Sequence, residues 1–99
     1  MTARRPVFRP QADAEALQAQ RWYEERTPGL GVDFAAAVTD AVARIVENPL
    51  AYARVRGEVR RAILQRFPFG VYFRVLPDEI IILAVSHGHR HPRSWQLRR

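Results

Sequence analysis

The sequence predicts an α+β fold in one domain spanning residues 1–99: a short N-terminal strand and an antiparallel helix hairpin, packed on a C-terminal three-stranded antiparallel meander. Three observations predict it. Apolar residues recur at helical spacing in the first half of the chain, and the period changes to two beyond Leu50. Proline and glycine residues separate the segments by short connections. A length of 99 residues fits one domain with one core.

The first half predicts one strand and two helices. Residues 5–9 (RPVFR) read as a short extended piece, which we expect at the edge of a sheet. A helix over residues 12–26 has an apolar stripe that we expect to be buried, formed by Ala12, Ala16, Ala19 and Tyr23 and widened by Leu17 and Trp22. A second helix over residues 32–47 presents Phe34, Val38, Ala41, Val42 and Ile45. The turn TPGLG at 27–31 joins them closely, so the helices pack antiparallel.

The second half predicts three strands, at residues 59–67, 69–76 and 79–86, which are rich in β-branched and aromatic residues. In the middle strand, four apolar side chains alternate with Tyr72 and Arg74. This alternation predicts one sheet face covered by the helices and one face open to a partner. The last strand is apolar on both faces at residues 80–85, which is typical of a central strand.

The charge is strongly positive and unevenly distributed. Sixteen basic residues, all of them arginine, oppose ten acidic ones and give a net charge of +6. Ten of the arginines, but only three of the acidic residues, lie in the half that begins at Leu50. The second half is therefore expected to bind an anionic partner, either nucleic acid or an acidic protein segment.

The sequence also argues against several classes of protein. Without cysteine the chain has no disulfide and no thiolate metal site, which fits a cytoplasmic location. No apolar stretch approaches the roughly 20 residues that span a membrane, so we expect no membrane partner. A glycine-rich phosphate loop and a Ser/His/Asp arrangement are both missing. We therefore expect no cofactor and no nucleotide-hydrolase or serine-hydrolase activity.

All three histidines lie in the arginine-rich segment at residues 86–95. Alternation on a strand would place His87, His89 and His91 on one side, where they could bind a metal ion. A glycine and a proline interrupt the segment and no carboxylate lies close in sequence, so we predict no metal site. Two interpretations remain: a histidine that acts as general acid or base beside phosphate-holding arginines, or a polar strand exit with Trp95 packed back on the core.

Four arginines fall within the predicted strands, where an arginine must be exposed or paired. We expect Arg60 and Arg66 on one face of the first strand and Arg61 on the other. They form either a solvated face with ion pairs to Glu58 or Glu79, or a basic binding face that continues into the tail. The residues predicted to contact a target or partner are Arg60, Arg61, Arg66, Tyr72, Arg74, His87, Arg90, Arg93 and Trp95.

The segment RRAILQRFPFGVYFRVLPDEIIILAVSHGHRHPRSW at 60–95 resembles the RelE/ParE toxins of bacterial type II toxin–antitoxin systems. The first half agrees, with RWYEE at 21–25, PGLG at 28–31, DF at 33–34 and NP at 48–49. The resemblance implies a growth-arresting toxin. It also implies a cognate antitoxin that neutralises the toxin with an acidic segment and forms a hetero-oligomer with it.

The family has two main branches, and the sequence departs from one of them. RelE-like toxins cleave mRNA in the ribosomal A site with lysine and arginine side chains and a terminal tyrosine or histidine. ParE-like toxins inhibit DNA gyrase and are not nucleases. This chain has no lysine. RelE-like toxins carry an arginine early in the middle strand, and this chain has Gly70 at the corresponding position. Trp95 and Gln96 occupy the region of the terminal tyrosine, and only Arg90 matches a catalytic position.

These departures favour the ParE-like branch, with DNA gyrase as the target. A ribosome-dependent mRNA endonuclease is the alternative, and the resemblance and the histidine cluster would then make the catalytic residues Arg90, His89, His91 and Arg74. A third interpretation is a basic module that binds nucleic acid or protein without toxicity.

Overall fold

A computed structural model describes residues 3–88, which form a five-stranded mixed sheet with two helices on one face. The elements in chain order are β1 (Arg5–Phe8), α1 (Pro10–Arg26), α2 (Leu30–Glu47), a 3₁₀ turn (Pro49–Ala51), β2 (Arg54–Arg56), β3 (Val59–Ile63), β4 (Phe69–Val75) and β5 (Glu79–His87). The strands lie in the order β1-β5-β4-β3-β2. β1 is parallel to β5, and the other neighbours are antiparallel. The predicted α+β class, with both helices and the three-stranded meander, is confirmed.

The sheet differs from the prediction in two places. β2 was not predicted, and it pairs with β3 as an additional edge strand. The first strand of the meander ends at Ile63 instead of residue 67. The backbone leaves the extended conformation there, because Arg66 has a positive φ of 73° and Pro68 has no N–H to donate to a neighbouring strand.

The helix hairpin closes through only three residues, 27–29, because Leu30 and Gly31 already belong to α2. Gly29 has a φ of 90°, which side-chain-bearing residues adopt at a cost. The Glu24 carboxylate accepts hydrogen bonds from the backbone N–H groups of Gly29 at 3.0 Å and Gly31 at 2.9 Å. A carboxylate of α1 therefore accepts hydrogen bonds from backbone N–H groups at the start of α2 and stabilises its N-terminus.

An aromatic cluster joins the helix hairpin to the sheet. Phe34 is fully buried, and its ring lies 5.0–5.3 Å from the rings of Tyr23, Phe67 and Phe69. Desolvation raises the pKa of the Tyr23 hydroxyl above its usual value of 10.0. All five residues predicted for the buried face of α2 are in the core.

The buried stripe of α1 is narrower than predicted. Leu17 and Trp22 are 47% and 49% exposed and do not widen it. Trp22 instead packs edge-on against Tyr23, with its outer face under the Arg26 guanidinium at 4.0 Å. A tryptophan can fit the helical spacing of apolar residues and still lie at the border of the core, because its large ring is seldom fully buried.

A β-bulge in β5 determines which side chains face away from the helices. Tyr72 pairs with Ala84, whereas the next residue, Phe73, pairs with Ile82. Leu83 is therefore the extra residue, and the in–out alternation changes phase at this point. Val85 joins the core under the helices with Ile82, whereas Ala84 faces the opposite side.

Candidate partner-binding site

One face of the sheet is covered by no helix of residues 3–88, and we call it the open face. The helix-side core contains residues of α1 and α2, whereas the cluster on the other side contains none. The pairing register assigns to the open face Val59, Arg61 and Ile63 of β3, Gly70, Tyr72 and Arg74 of β4, and Ile81, Ala84 and Ser86 of β5. The predicted division into a covered face and an open face is therefore observed.

The centre of the open face is apolar and well packed. Tyr72 is 2% exposed and Ala84 is fully buried, with Val55 of β2 and Val59 of β3 packed against them. Within the described residues, the β2–β3 hairpin contributes these two valines to the burial of Tyr72. This packing fixes the position of the hairpin relative to the middle of the sheet.

Cationic and apolar side chains surround this centre. Arg61 is half-buried, and its Cγ and Cδ atoms lie 3.3 Å from the point where a Cβ on Gly70 would be. Arg74 is exposed and makes no ion pair with a residue in the range 3–88. Ile63 is 49% exposed on the same face. The open face therefore combines apolar area with positive charge, as a site for an acidic amphipathic segment would.

Comparison with known proteins places this architecture in a family. A family model described as ParE toxin of type II toxin-antitoxin system, parDE, matches residues 7–92. The chain belongs to the ParE toxin family. A solved structure titled "Chromosomal ParDE TA system from P. aeruginosa" matches with a TM-score of 0.77 and 21% identity, over 88% of this chain and 98% of that one. That likeness shows a shared fold. The comparison with curated proteins found no match.

The open face of this ParE-family toxin contains only some of the arginines predicted to act together. Arg60 lies opposite Phe73 on the helix side, and its guanidinium donates to the backbone carbonyl of Tyr52 at 2.6 Å. Arg66 lies in the turn after β3, 3.5 Å from the Asp33 carboxylate of α2. Arg60 and Arg66 therefore do not lie on the open face with Arg61 and Arg74.

The histidine-rich segment of the toxin falls only partly within the described residues. His87 is exposed at the end of β5, with its ring 5.1 Å from that of Phe69 on the helix side of the sheet. The other predicted tail residues lie outside the described range: His89, Arg90, His91, Arg93 and Trp95. Within residues 3–88, no group of three histidine, cysteine or acidic side chains is arranged to hold a metal ion.

The toxin has a small depression between α2 and the turn after β3. Its volume is about 140 Å³, and Asp33, Asp40, Arg44 and Arg66 are among its lining residues. Cofactor sites are usually about 300–1,000 Å³ and mostly apolar, so this depression is not suited to a cofactor. No helix in the described part of the toxin is both long enough and apolar enough to cross a membrane.

Sequence reasoning missed the contribution of β2 to this site. Val55 covers Tyr72, and it does so from a three-residue strand, RVR, that is too short to show a period. The available signal was the alternation of arginine and valine at residues 54–56, immediately before a turn at Gly57. This pattern predicts a hairpin formed by β2 and β3.

Proposed function

We propose that this ParE-family toxin arrests growth by inhibiting DNA gyrase, and that a cognate antitoxin neutralises it by laying an acidic segment across the open face. Family membership supports the toxin role, and the open face supports the antitoxin site. Exposed Ile63 offers apolar area, and Arg74 offers a cation without an ion pair to any described residue. Action on gyrase implies a cytoplasmic location.

Gly70 is the observation that favours gyrase over mRNA cleavage. This open-face position corresponds to the arginine of the nuclease branch, and here the alkyl chain of Arg61 lies over it. A longer side chain at position 70 would have to displace Arg61. The same contact supports mRNA cleavage as the second candidate, because Arg61 brings a guanidinium from the neighbouring strand into this part of the sheet.

The gyrase proposal predicts that the purified toxin blocks supercoiling of relaxed plasmid or traps cleaved DNA. Arg74→Glu should weaken this inhibition at least tenfold, about 1.4 kcal/mol of binding free energy, because a charge reversal on the open face opposes an anionic or polar target. The control is Arg21→Glu, an identical charge change at an exposed position of α1 on the helix side. Inhibition is read from plasmid topoisomers on agarose gels.

Three outcomes would contradict this proposal or a part of it. Full gyrase activity at a stoichiometric excess of toxin would reject gyrase as the target. New 5′ ends on ribosome-bound message, detected by primer extension, would establish the second candidate. If Arg74→Glu and Arg21→Glu weaken gyrase inhibition equally, the open face is not the surface that inhibits gyrase.

The antitoxin proposal predicts a complex that resists salt. An acidic segment on the open face buries apolar side chains as well as ion pairs, and screening weakens exposed ion pairs far more than apolar burial. We therefore expect the toxin and the antitoxin to co-elute in size-exclusion chromatography in about 1 M NaCl, where the Debye length is roughly 3 Å. Complete dissociation at moderate salt would show that charge alone holds the complex together.

A further inference from the structure

The β2–β3 hairpin concentrates positive charge at one edge of the sheet. Between residues 54 and 61 it has four arginines and one acidic residue, Glu58. β2 is the last strand in the sheet order, so no other described strand covers its outer edge. Arg54 and Arg56 are the exposed arginines of this edge, and neither was among the residues predicted from sequence to bind a partner.

Nothing in the described part of the chain neutralises this charge effectively. Arg54 lies directly opposite Arg60 in the register, and like charges in that position destabilise a strand pair. The nearest carboxylate is Glu58, at 3.7 Å from Arg54, and these side chains are 72% and 57% exposed. Such exposed pairs contribute little to stability. Arg56 makes no ion pair within residues 3–88.

The hairpin is also held in place before any ligand arrives. Val55 and Val59 pack on Tyr72 and Ala84, which anchors the backbone from which the arginines project. Arg60 is fixed by its hydrogen bond to the Tyr52 carbonyl. Exposed arginines on a backbone held in this way suit a ligand with repeated negative charges, because arginine pairs with phosphate in a bidentate geometry.

We infer that the β2–β3 hairpin, through Arg54 and Arg56, binds the sugar–phosphate backbone of duplex DNA without reading its sequence. The choice of DNA rests on the proposed action on gyrase, whose substrate is duplex DNA, and the site extends that proposal to the nucleic acid in the enzyme complex. Phosphates supply regularly spaced charge along both strands, and binding to them releases counterions. The edge strand also presents backbone N–H groups, which commonly donate to phosphates.

The test is fluorescence anisotropy of the whole toxin with a labelled duplex of about 20 base pairs, roughly two helical turns, at several salt concentrations and without gyrase. The double variant Arg54→Gln/Arg56→Gln should bind at least about tenfold more weakly at low salt. Its slope of log K against log salt should be shallower by about 2, because each phosphate contact contributes roughly 0.9. Arg54→Lys/Arg56→Lys should keep the salt slope, since the charge is preserved, but lose part of the affinity, because lysine cannot pair with phosphate in a bidentate geometry.

The matched control is Arg9→Gln/Arg21→Gln, which removes the same charge from exposed positions away from the hairpin. Equal losses in both double variants would overturn the inference, because net charge alone would then explain binding. So would absence of DNA binding by the unmodified toxin, tighter binding to RNA of the same sequence, or unchanged DNA affinity of a folded Arg54→Gln/Arg56→Gln variant. The Gln variant could lose DNA binding while gyrase stays fully active in the presence of the unmodified toxin. The gyrase proposal would then fail, and the DNA-binding inference would stand.

Discussion

Replacing Phe34 with alanine is expected to lower the free energy of unfolding by about 3–5 kcal/mol, the usual cost of removing a buried aromatic ring. Phe34 is fully buried and contacts the rings of Tyr23, Phe67 and Phe69. The cavity would lie where α1, α2 and the sheet meet, so no single element can shift to fill it. The free energy of unfolding of native proteins is about 5–15 kcal/mol, so the variant should lose a large part of its stability.

Urea denaturation followed by circular dichroism measures this effect. The control is Val32→Ala in the same helix, because Val32 is 67% exposed and its truncation should change stability by no more than about 0.5 kcal/mol. Similar losses in the two variants would mean that the aromatic cluster is not the centre of the core. A loss below about 1 kcal/mol for Phe34→Ala would mean the same, since it is far under the usual range.

Replacing Gly31 with alanine is expected to destabilise the toxin by about 1–3 kcal/mol, the range for forcing extra atoms into a packed interior. In an ordinary helix the same change stabilises by up to about 1 kcal/mol, so the sign is reversed here. A Cβ at Gly31 would lie 2.8 Å from the Gln20 carbonyl oxygen and 2.9 Å from the Glu24 side chain. The helices would have to separate, and the capping carboxylate of Glu24 would be displaced.

Thermal unfolding of Gly31→Ala and Gly29→Ala separates this contact from backbone strain. Gly29 has a φ of 90° but open space around a Cβ, so its substitution tests the left-handed conformation alone. Gly31 has an ordinary helical backbone and tests the helix contact alone. A Gly31→Ala variant as stable as the parent would show that the hairpin accommodates a wider spacing.

The helices were predictable because their signals are local. Helical spacing of apolar residues identified every buried residue of α2 except Gly31, and the proline and glycine residues marked where each helix ends. β2 and the end of β3 were not predictable in this way, because three residues show no period and the pairing of Arg54 with Arg60 is decided by the sheet. The faces of β5 depend on the bulge at Leu83, whose position follows from pairing with β4.

The same reasoning explains the mixed outcome for the candidate site. Arg61, Tyr72 and Arg74 lie on the open face because the period-two pattern holds throughout β4 and the paired part of β3. Arg66 was predicted within the first strand of the meander, but it lies in the following turn because the strand ends at Ile63. The role of each of these residues in binding stays a prediction.

The parallel pairing of β1 with β5 has a consequence for how the toxin is made. Arg5 pairs with Glu79 and Phe8 with Ile82, so among the described strands β1 can pair only once β5 exists. Translation proceeds from the N-terminus, and the emerging helix hairpin therefore waits for most of the chain before the sheet that covers it can close. The toxin can therefore reach its complete fold only after β5 has left the ribosome, and until then the helix hairpin lacks the full sheet on which it packs.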